Sequence, residues 1–304
     1  MSAQLYETTS TWSRGRKIAF TVLGAAYGLL LVSPLSVLPY AVLGWLLTGT
    51  GTSHRVHEVS FGVVFLISLI GLLAQVRSTP TKVAPMQQVA IPILTLIITE
   101  SLVNGVNSET GAIFLMFGVP PILLAFLHPS RREVLKPTPQ PSKVLVAMAV
   151  LLAIPAVFFT VAQITAGVEA AKLGAPVFER LDVPRDASPA EFEQAITEIF
   201  DDLDIPEEER ETIQHSGHWS AMAGFAIGIL VMTCLVAIRV RGFRVTAWSV
   251  GLAVAYYGIV SLATPDDASS AGLIGGVFCL LWGAAFVALT ERDTRVTARQ
   301  LLAT

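Results

Sequence analysis

The sequence predicts an all-α polytopic integral membrane protein with about eight transmembrane helices and an extracytoplasmic helical hairpin as a cap. Three observations predict this fold class. Charged residues make up only 14% of the 304 residues, against about 25% in soluble domains. The apolar residues gather in eight long blocks, and the basic residues concentrate in every second connection between these blocks.

The eight blocks are long enough to cross a bilayer. A hydrocarbon core of about 30 Å needs about 20 apolar residues in a helix, and most of the blocks extend to roughly 17–25 residues. None shows the strict alternation of a membrane strand, so we expect helices. The predicted spans are 17–39, 58–76, 84–104, 111–127, 143–166, 218–238, 245–264 and 271–290.

The first block is unusually long. A basic stretch at 14–17 precedes it, and it continues without a small-residue cleavage pattern, which predicts a retained span rather than a removed signal peptide. As one helix, residues 17–48 would measure about 48 Å, too long for one upright span. We therefore expect the span to end near Pro39, with residues 40–48 lying along the interface or re-entering the membrane.

The basic residues indicate the orientation. With the N-terminus inside, 15 of the 20 arginines and lysines fall on inner segments, as the positive-inside rule requires. Splitting the first block into two short spans would reverse every later span and leave only 8 of them inside. We therefore expect a multi-pass protein of the cytoplasmic membrane with both termini in the cytoplasm.

One long hydrophilic segment divides the chain. It carries 14 acidic and 4 basic side chains, and the predicted topology places it outside the membrane. The predicted units are an N-terminal membrane half with five spans, this acidic segment, and a C-terminal membrane half with three spans. Their ranges are 1–166, 167–217 and 218–304.

The acidic segment contains two helix-start signals. Ser188, Pro189 and Glu191 form a capping-box pattern, and apolar residues follow at helical spacing. Asp204 and Glu207 repeat the signal. We therefore predict a helical hairpin that covers the outer mouth of the bundle and offers a surface to a protein partner. The acidic run does not have the ligand spacing of an EF-hand.

Proline and glycine mark several of the predicted spans. Prolines inside the third, fourth and fifth spans can kink a helix and expose backbone groups, as in transporters. Glycines at seven-residue spacing in the last hairpin predict close helix packing. These residues are Pro92, Pro120, Pro121 and Pro155, and Gly251, Gly258, Gly276 and Gly283.

Four of the five histidines fall at the outer ends of two spans. His54, His57 and Glu58 lie at the start of the second span, and His215 and His218 lie at the start of the sixth. Histidines three residues apart on a helix share one face. Two hypotheses follow: a site for a divalent metal or for proton transfer, or interfacial histidines without a ligand.

Glu100 is the only carboxylate well inside an apolar block. Because an unpaired ionisable group is costly in lipid, such a residue predicts a functional site. A histidine from a neighbouring span could stabilise it. The alternative is a carboxylate close enough to the surface to be solvated or protonated.

Three classes of function remain open. The first is a small-solute or ion transporter, or a membrane accessory protein, that uses Glu100 and the proline-broken spans. The second is a metal-dependent membrane enzyme with the four histidines around one ion. The third is a non-catalytic scaffold or complex subunit that binds a partner through the hairpin. We expect the first, and we assign no catalytic residue.

Motifs for other chemistries are absent from the sequence. It has no HExxH, no Cys-x-x-Cys and no phosphate-binding glycine loop, which are the patterns of common metal and nucleotide sites. No cluster of basic and aromatic residues suggests nucleic acid. The predicted partners are therefore the lipid bilayer and a protein at the outer hairpin.

Overall fold

The structure, a computed structural model, describes residues 12–33, 55–76, 79–136, 140–181, 189–206, 209–210, 213, 216–267 and 269–303. Within these ranges the chain is helical and contains no strand. The helices are α1 (Arg14–Val32), α2 (Arg55–Leu73), α3 (Val83–Asn104), α4 (Ser108–Leu127), α5 (Arg131–Leu135), α6 (Lys143–Arg180), α7 (Pro189–Asp202), α8 (Ser216–Ala237), α9 (Phe243–Ala263) and α10 (Gly272–Ala303).

Eight helices of the described ranges are long and apolar enough to cross a membrane, namely α1 to α4, α6 and α8 to α10. Large apolar side chains lie on the outside of the bundle: Ile274 is 90% exposed and Phe158 is 75% exposed. Soluble monomers rarely expose extensive apolar surface, whereas lipid-facing helices do. The predicted eight membrane-spanning helices are therefore confirmed, and the fold is that of a multi-pass membrane protein.

The two ends of the bundle differ in charge. The basic end holds the start of α1, the α2–α3, α4–α6 and α8–α9 connections, and the end of α10. The acidic end holds the α3–α4, α6–α8 and α9–α10 connections. Most of the acidic side chains of the molecule belong to the α6–α8 connection and the helix ends that flank it.

Helices α3 and α8 pack together in the middle of the bundle. In α8, Ser220, Gly224 and Gly228 recur every four residues on the face that meets α3. A Cβ atom at Gly224 would lie 2.6 Å from the Cα atom of Leu96, and Gly228 approaches α3 one turn further along. Small residues thus let the two backbones approach closely, which brings Ser220 against Glu100.

Glycines also determine the packing of the α9–α10 hairpin. A Cβ atom at Gly251 would lie 2.9 Å from the Gly283 carbonyl oxygen, and one at Gly258 would lie 2.6 Å from the Gly276 carbonyl oxygen. A larger residue has no room at either crossing. The close packing predicted from the glycine spacing is therefore confirmed.

Helix α4 changes its winding where the sequence has consecutive prolines. A π-helical segment, Phe114–Gly118, ends one residue before them. Pro121 has no N–H, so the Phe117 carbonyl loses its usual helix donor. The Tyr27 hydroxyl of α1 donates to that carbonyl over 3.1 Å. The proline-broken helix is thus stabilised by a side chain from a neighbouring helix.

Helix α6 continues beyond the expected end of the fifth span. It has 38 residues, about 57 Å at 1.5 Å per residue, and ends at Arg180 rather than near residue 166. The first part of the acidic segment therefore extends this helix. Helix α7 begins at Pro189 as the capping pattern predicted, and its Ile196 and Phe200 pack on Val177 of α6. The second arm of the predicted hairpin lies mostly outside the described residues.

At the basic end, side chains tie α1 to the end of α4. Arg16 of α1 donates to the carbonyl oxygens of Leu127, over 2.9 Å, and of His128, which also accepts from the Arg131 N–H. The buried His128 ring accepts a hydrogen bond from the Ser130 N–H at Nδ1 and lies 3.0 Å from the Thr79 carbonyl through Nε2. The fifth histidine thus has a structural place away from the acidic end.

Candidate functional site

Glu100 lies one turn before the end of α3 and is partly buried. The Asn104 amide donates to its Oε1 over 2.6 Å. The Ser220 hydroxyl of α8 donates to its Oε2. Each carboxylate oxygen therefore has a donor, one from its own helix and one across the helix interface.

The Ser220 hydroxyl also lies 2.9 Å from the Gly217 carbonyl oxygen. A hydroxyl has one proton and can accept as well as donate. When Glu100 is ionised, Ser220 donates to the carboxylate. When Glu100 is protonated, the carboxyl O–H can donate to Ser220, which then donates to Gly217. The same three groups therefore satisfy both protonation states of Glu100.

Glu100 lines a pocket that extends from the acidic end into the bundle. The pocket has a volume of about 300 Å³, at the lower end of the roughly 300–1,000 Å³ seen for ligand pockets. Its deepest α3 residue is Ile93, two turns or about 10 Å along the helix from Glu100. The walls come from α2, α3, α4 and α8. The lining residues are Phe61, Phe65, Ile93, Leu96, Ile97, Glu100, Ile113, Met116, Phe117, Gly217 and Ala221.

The π-helical segment of α4 contributes one wall of this pocket. Met116 and Phe117 belong to it and line the pocket. Pro120 has no N–H, so the Met116 carbonyl loses its usual helix donor. Single π-helical turns inside α-helices occur often at functional sites, and this one lines the pocket at Glu100.

The structure brings two of the predicted histidines together. His57 is the third residue of α2 and His218 is the third residue of α8. Their rings stack with centroids 3.7 Å apart and planes inclined by 22°. His57 is only 6% exposed. Spans two and six are therefore neighbours at the acidic end, and His218 precedes Ser220 by two residues.

One metal ion shared by both rings does not fit this stacking. An imidazole binds zinc through a lone pair in the ring plane, at about 2.0–2.1 Å. The lone pairs of two nearly parallel, stacked rings lie in separate planes, so they do not point at one common metal ion. Within the described ranges, no group of three or more His, Cys, Asp and Glu side chains could hold a metal ion. His54, His215 and the side chain of Glu58 lie outside the described residues.

Sequence reasoning identified Glu100 but missed its partners. Ser220 and Asn104 are ordinary polar residues in the sequence, and neither residue taken alone indicates a contact with Glu100. The signal that could have found Ser220 is the four-residue spacing from Ser220 to Gly224 and Gly228, which indicates a tightly packed helix face. The aromatic wall of the pocket needs the arrangement of α2 and α4, which the sequence does not show.

The protein is thus an all-α, multi-pass membrane protein. A pocket at one end of its bundle is lined by the ionisable side chain of Glu100. Comparison with known proteins finds no family model that matches the chain, no similar curated protein and no similar solved structure. The functional assignment therefore depends on the geometry of the pocket.

Proposed function

We propose that the protein is a small-solute or ion transporter-like membrane protein in which Glu100 is the ionisable group that binds the transported species. The observation that carries this proposal is the position of the Glu100 carboxylate on a pocket wall, with Ser220 able to serve both of its protonation states. A carboxylate that can exchange a proton for a cation without losing its partners suits coupled binding and release.

Two further features support the proposal. Transporters use interrupted helices near their binding sites, and the π-helical segment of α4 lines this pocket. The segment 167–217 has a net charge of −10 from its 14 acidic and 4 basic residues. Such a field raises the local concentration of cations at the end of the bundle where the pocket opens.

We also propose an orientation for the molecule. The basic end faces the cytoplasm with both termini, because 15 of the 20 basic residues belong to it, and basic residues concentrate on the cytoplasmic side of membrane proteins. The acidic end, with α7 and the Glu100 pocket, faces the outside of a cytoplasmic membrane. The pocket then receives its solute from the extracytoplasmic side.

A flux measurement in reconstituted vesicles tests the proposed function. Vesicles that contain a pH-sensitive dye receive gradients of sodium, potassium or choline chloride, and the internal pH is followed. We expect a cation gradient to change the internal pH faster with the wild-type protein than in protein-free vesicles. Glu100→Gln should abolish this difference, since the amide cannot ionise, without lowering expression.

Glu109→Gln is the matched control, because Glu109 is an exposed carboxylate in the first turn of α4 at the same end. It should retain the wild-type rate. The proposed function is wrong if Glu100→Gln transports as fast as the wild type, or if the wild type matches protein-free vesicles for every cation.

A further inference from the structure

We infer that the pocket at Glu100 binds a small organic cation, with one positive charge on a compact apolar body, rather than a bare metal ion. This inference rests on the proposed function and names its substrate class. Three properties of the pocket carry it: a single carboxylate among its described lining residues, a wall rich in aromatic rings, and a small volume.

The charge of the pocket fits a monovalent cation. Among the described residues that line it, Glu100 is the one that carries a charge. Asn104 and Ser220 each donate to one carboxylate oxygen, but each oxygen has more than one lone-pair site. The carboxylate can therefore accept a further donor, or pair with a charge, from the pocket side while it keeps both contacts.

The remaining lining residues fit an apolar body around that charge. Phe61 and Phe65 come from α2, and Phe117 comes from the π-helical segment of α4. Phe65 packs edge-to-face against each of the other two rings, with centroids 5.3 Å apart in both pairs. Faces of aromatic rings attract cations, and this attraction is a usual means of recognising quaternary ammonium groups.

The same lining is unsuited to a bare inorganic cation. Calcium and magnesium take about six or more oxygen ligands, whereas the part of the lining that the structure describes offers one carboxylate among otherwise apolar side chains. Losing its hydration shell here would cost a metal ion far more than one carboxylate returns. An ammonium group that carries its own methyl or methylene groups has less hydration to lose, because its charge is already covered by carbon.

The size of the pocket limits the ligand. About 300 Å³ accommodates a compact ammonium compound but not a drug-sized molecule, which needs a volume well inside the roughly 300–1,000 Å³ range of ligand pockets. With its charge at Glu100, a ligand would place its apolar part against the other side chains that line the pocket. We expect short or branched alkylammonium compounds to fit.

Calorimetric titration of the full-length protein in detergent tests this inference. The probes are tetramethylammonium, choline, sodium, and the uncharged isostere of choline in which a tert-butyl group replaces the trimethylammonium group. We expect choline to bind at least about tenfold more tightly than the isostere, a difference of about 1.4 kcal/mol. Sodium should compete weakly.

Two pairs of variants separate charge from aromatic contact. Glu100→Gln should weaken choline binding at least about tenfold, whereas Glu109→Gln should not change it. Phe61→Leu keeps an apolar side chain but removes a partly exposed ring of the pocket, and should weaken choline binding severalfold. Phe243→Leu, a partly exposed ring at the basic end, should leave binding unchanged.

Three results would overturn the inference: no binding of either ammonium probe, equal binding of choline and its uncharged isostere, or sodium competing as well as choline. The vesicle experiment distinguishes this failure from failure of the proposed function. Glu100-dependent flux of an inorganic cation, without ammonium binding, would overturn the organic-cation inference and leave the transporter-like function intact.

Discussion

At the scale of residues, Glu100 shows how a carboxylate is tolerated near the end of an apolar bundle. An ionised carboxylate removed from water without partners would cost on the order of several kcal/mol. Asn104 and Ser220 offset that cost through one hydrogen bond to each oxygen. The pocket side of the carboxylate is the side at which we propose that a solute binds, so stability and the proposed binding would use different parts of one group.

His128 is a contrasting case, because its ring serves structure. Nδ1 accepts a hydrogen bond from the Ser130 N–H, so the neutral ring carries its proton on Nε2 and donates to the Thr79 carbonyl. Burial lowers the pKa of His128 to about 4, and the nearby Arg241 and Arg16 charges lower it as well. The folded protein thus holds this histidine neutral.

Acidification should therefore lower the stability of the protein, and His128 is one cause of this effect. The unfolded chain protonates this histidine near pH 6.5, whereas the folded chain does so only near pH 4. Between these values the unfolded state binds more protons, so stability falls as the pH falls. Thermal unfolding in detergent should show a loss of up to about 3 kcal/mol from this residue.

The matched measurement uses His128→Ala. This variant should be less stable at pH 7, because it loses the contacts to Thr79 and Ser130. It should also lose less stability between pH 6.5 and pH 4 than the wild type does. Equal acid sensitivity of the two proteins would contradict this role for His128.

At the scale of elements, the contact between α3 and α8 positions the pocket. Gly224 has no room for a side chain, since a Cβ atom there would lie 2.6 Å from the backbone of Leu96. A Cβ atom at Gly217, in the first turn of the same helix, would have no neighbour within 4 Å. Alanine substitutions at these two glycines therefore compare a crowded position with an open position in the same helix.

Gly224→Ala should force α8 away from α3 and destabilise the protein by about 1–3 kcal/mol, the usual cost of overpacking. It should also weaken the Glu100-dependent flux, because Ser220 moves with α8. Gly217→Ala should change stability by less than about 1 kcal/mol. Thermal unfolding in detergent measures both, and equal stability of the two variants would contradict the packing described for α3 and α8.

The sequence predicted the membrane helices well but not all of their ends. Apolar blocks indicate which residues contact lipid, and the structure contains the eight expected helices. The end of α6 at Arg180 and of α10 at Ala303 could not be found this way, because a helix can continue into water with polar residues. Hydropathy therefore shows where a helix leaves the membrane, but not where its backbone hydrogen bonds end.

The candidate site was predictable only in part, for a related reason. Glu100 stands out because a carboxylate in an apolar block is rare. The stacking of His57 on His218 and the contact of Ser220 with Glu100 depend on which helices are neighbours. Helix order in a bundle is set by tertiary packing, and a single sequence carries little information about it.

At the scale of the whole molecule, charge is separated along the bundle axis. The basic end carries 15 of the 20 arginines and lysines, whereas residues 167–217 carry 14 of the 23 acidic residues. The positive-inside rule links this separation to orientation. The proposed function depends on that orientation, since it determines which compartment supplies the Glu100 pocket.

Site-directed labelling on intact cells tests this orientation most directly. Cys234 and Cys279 are the two native cysteines and are first replaced by alanine. Thr197→Cys then places one thiol on the exposed side of α7 at the acidic end, and Arg292→Cys places one at an exposed position of α10 at the basic end. A membrane-impermeant maleimide is applied before and after lysis.

We expect the thiol at position 197 to react in intact cells and the thiol at position 292 to react only after lysis. The reverse pattern, with position 292 labelled in intact cells and position 197 labelled only after lysis, would place the acidic end in the cytoplasm. It would contradict the proposal that the Glu100 pocket opens to the exterior.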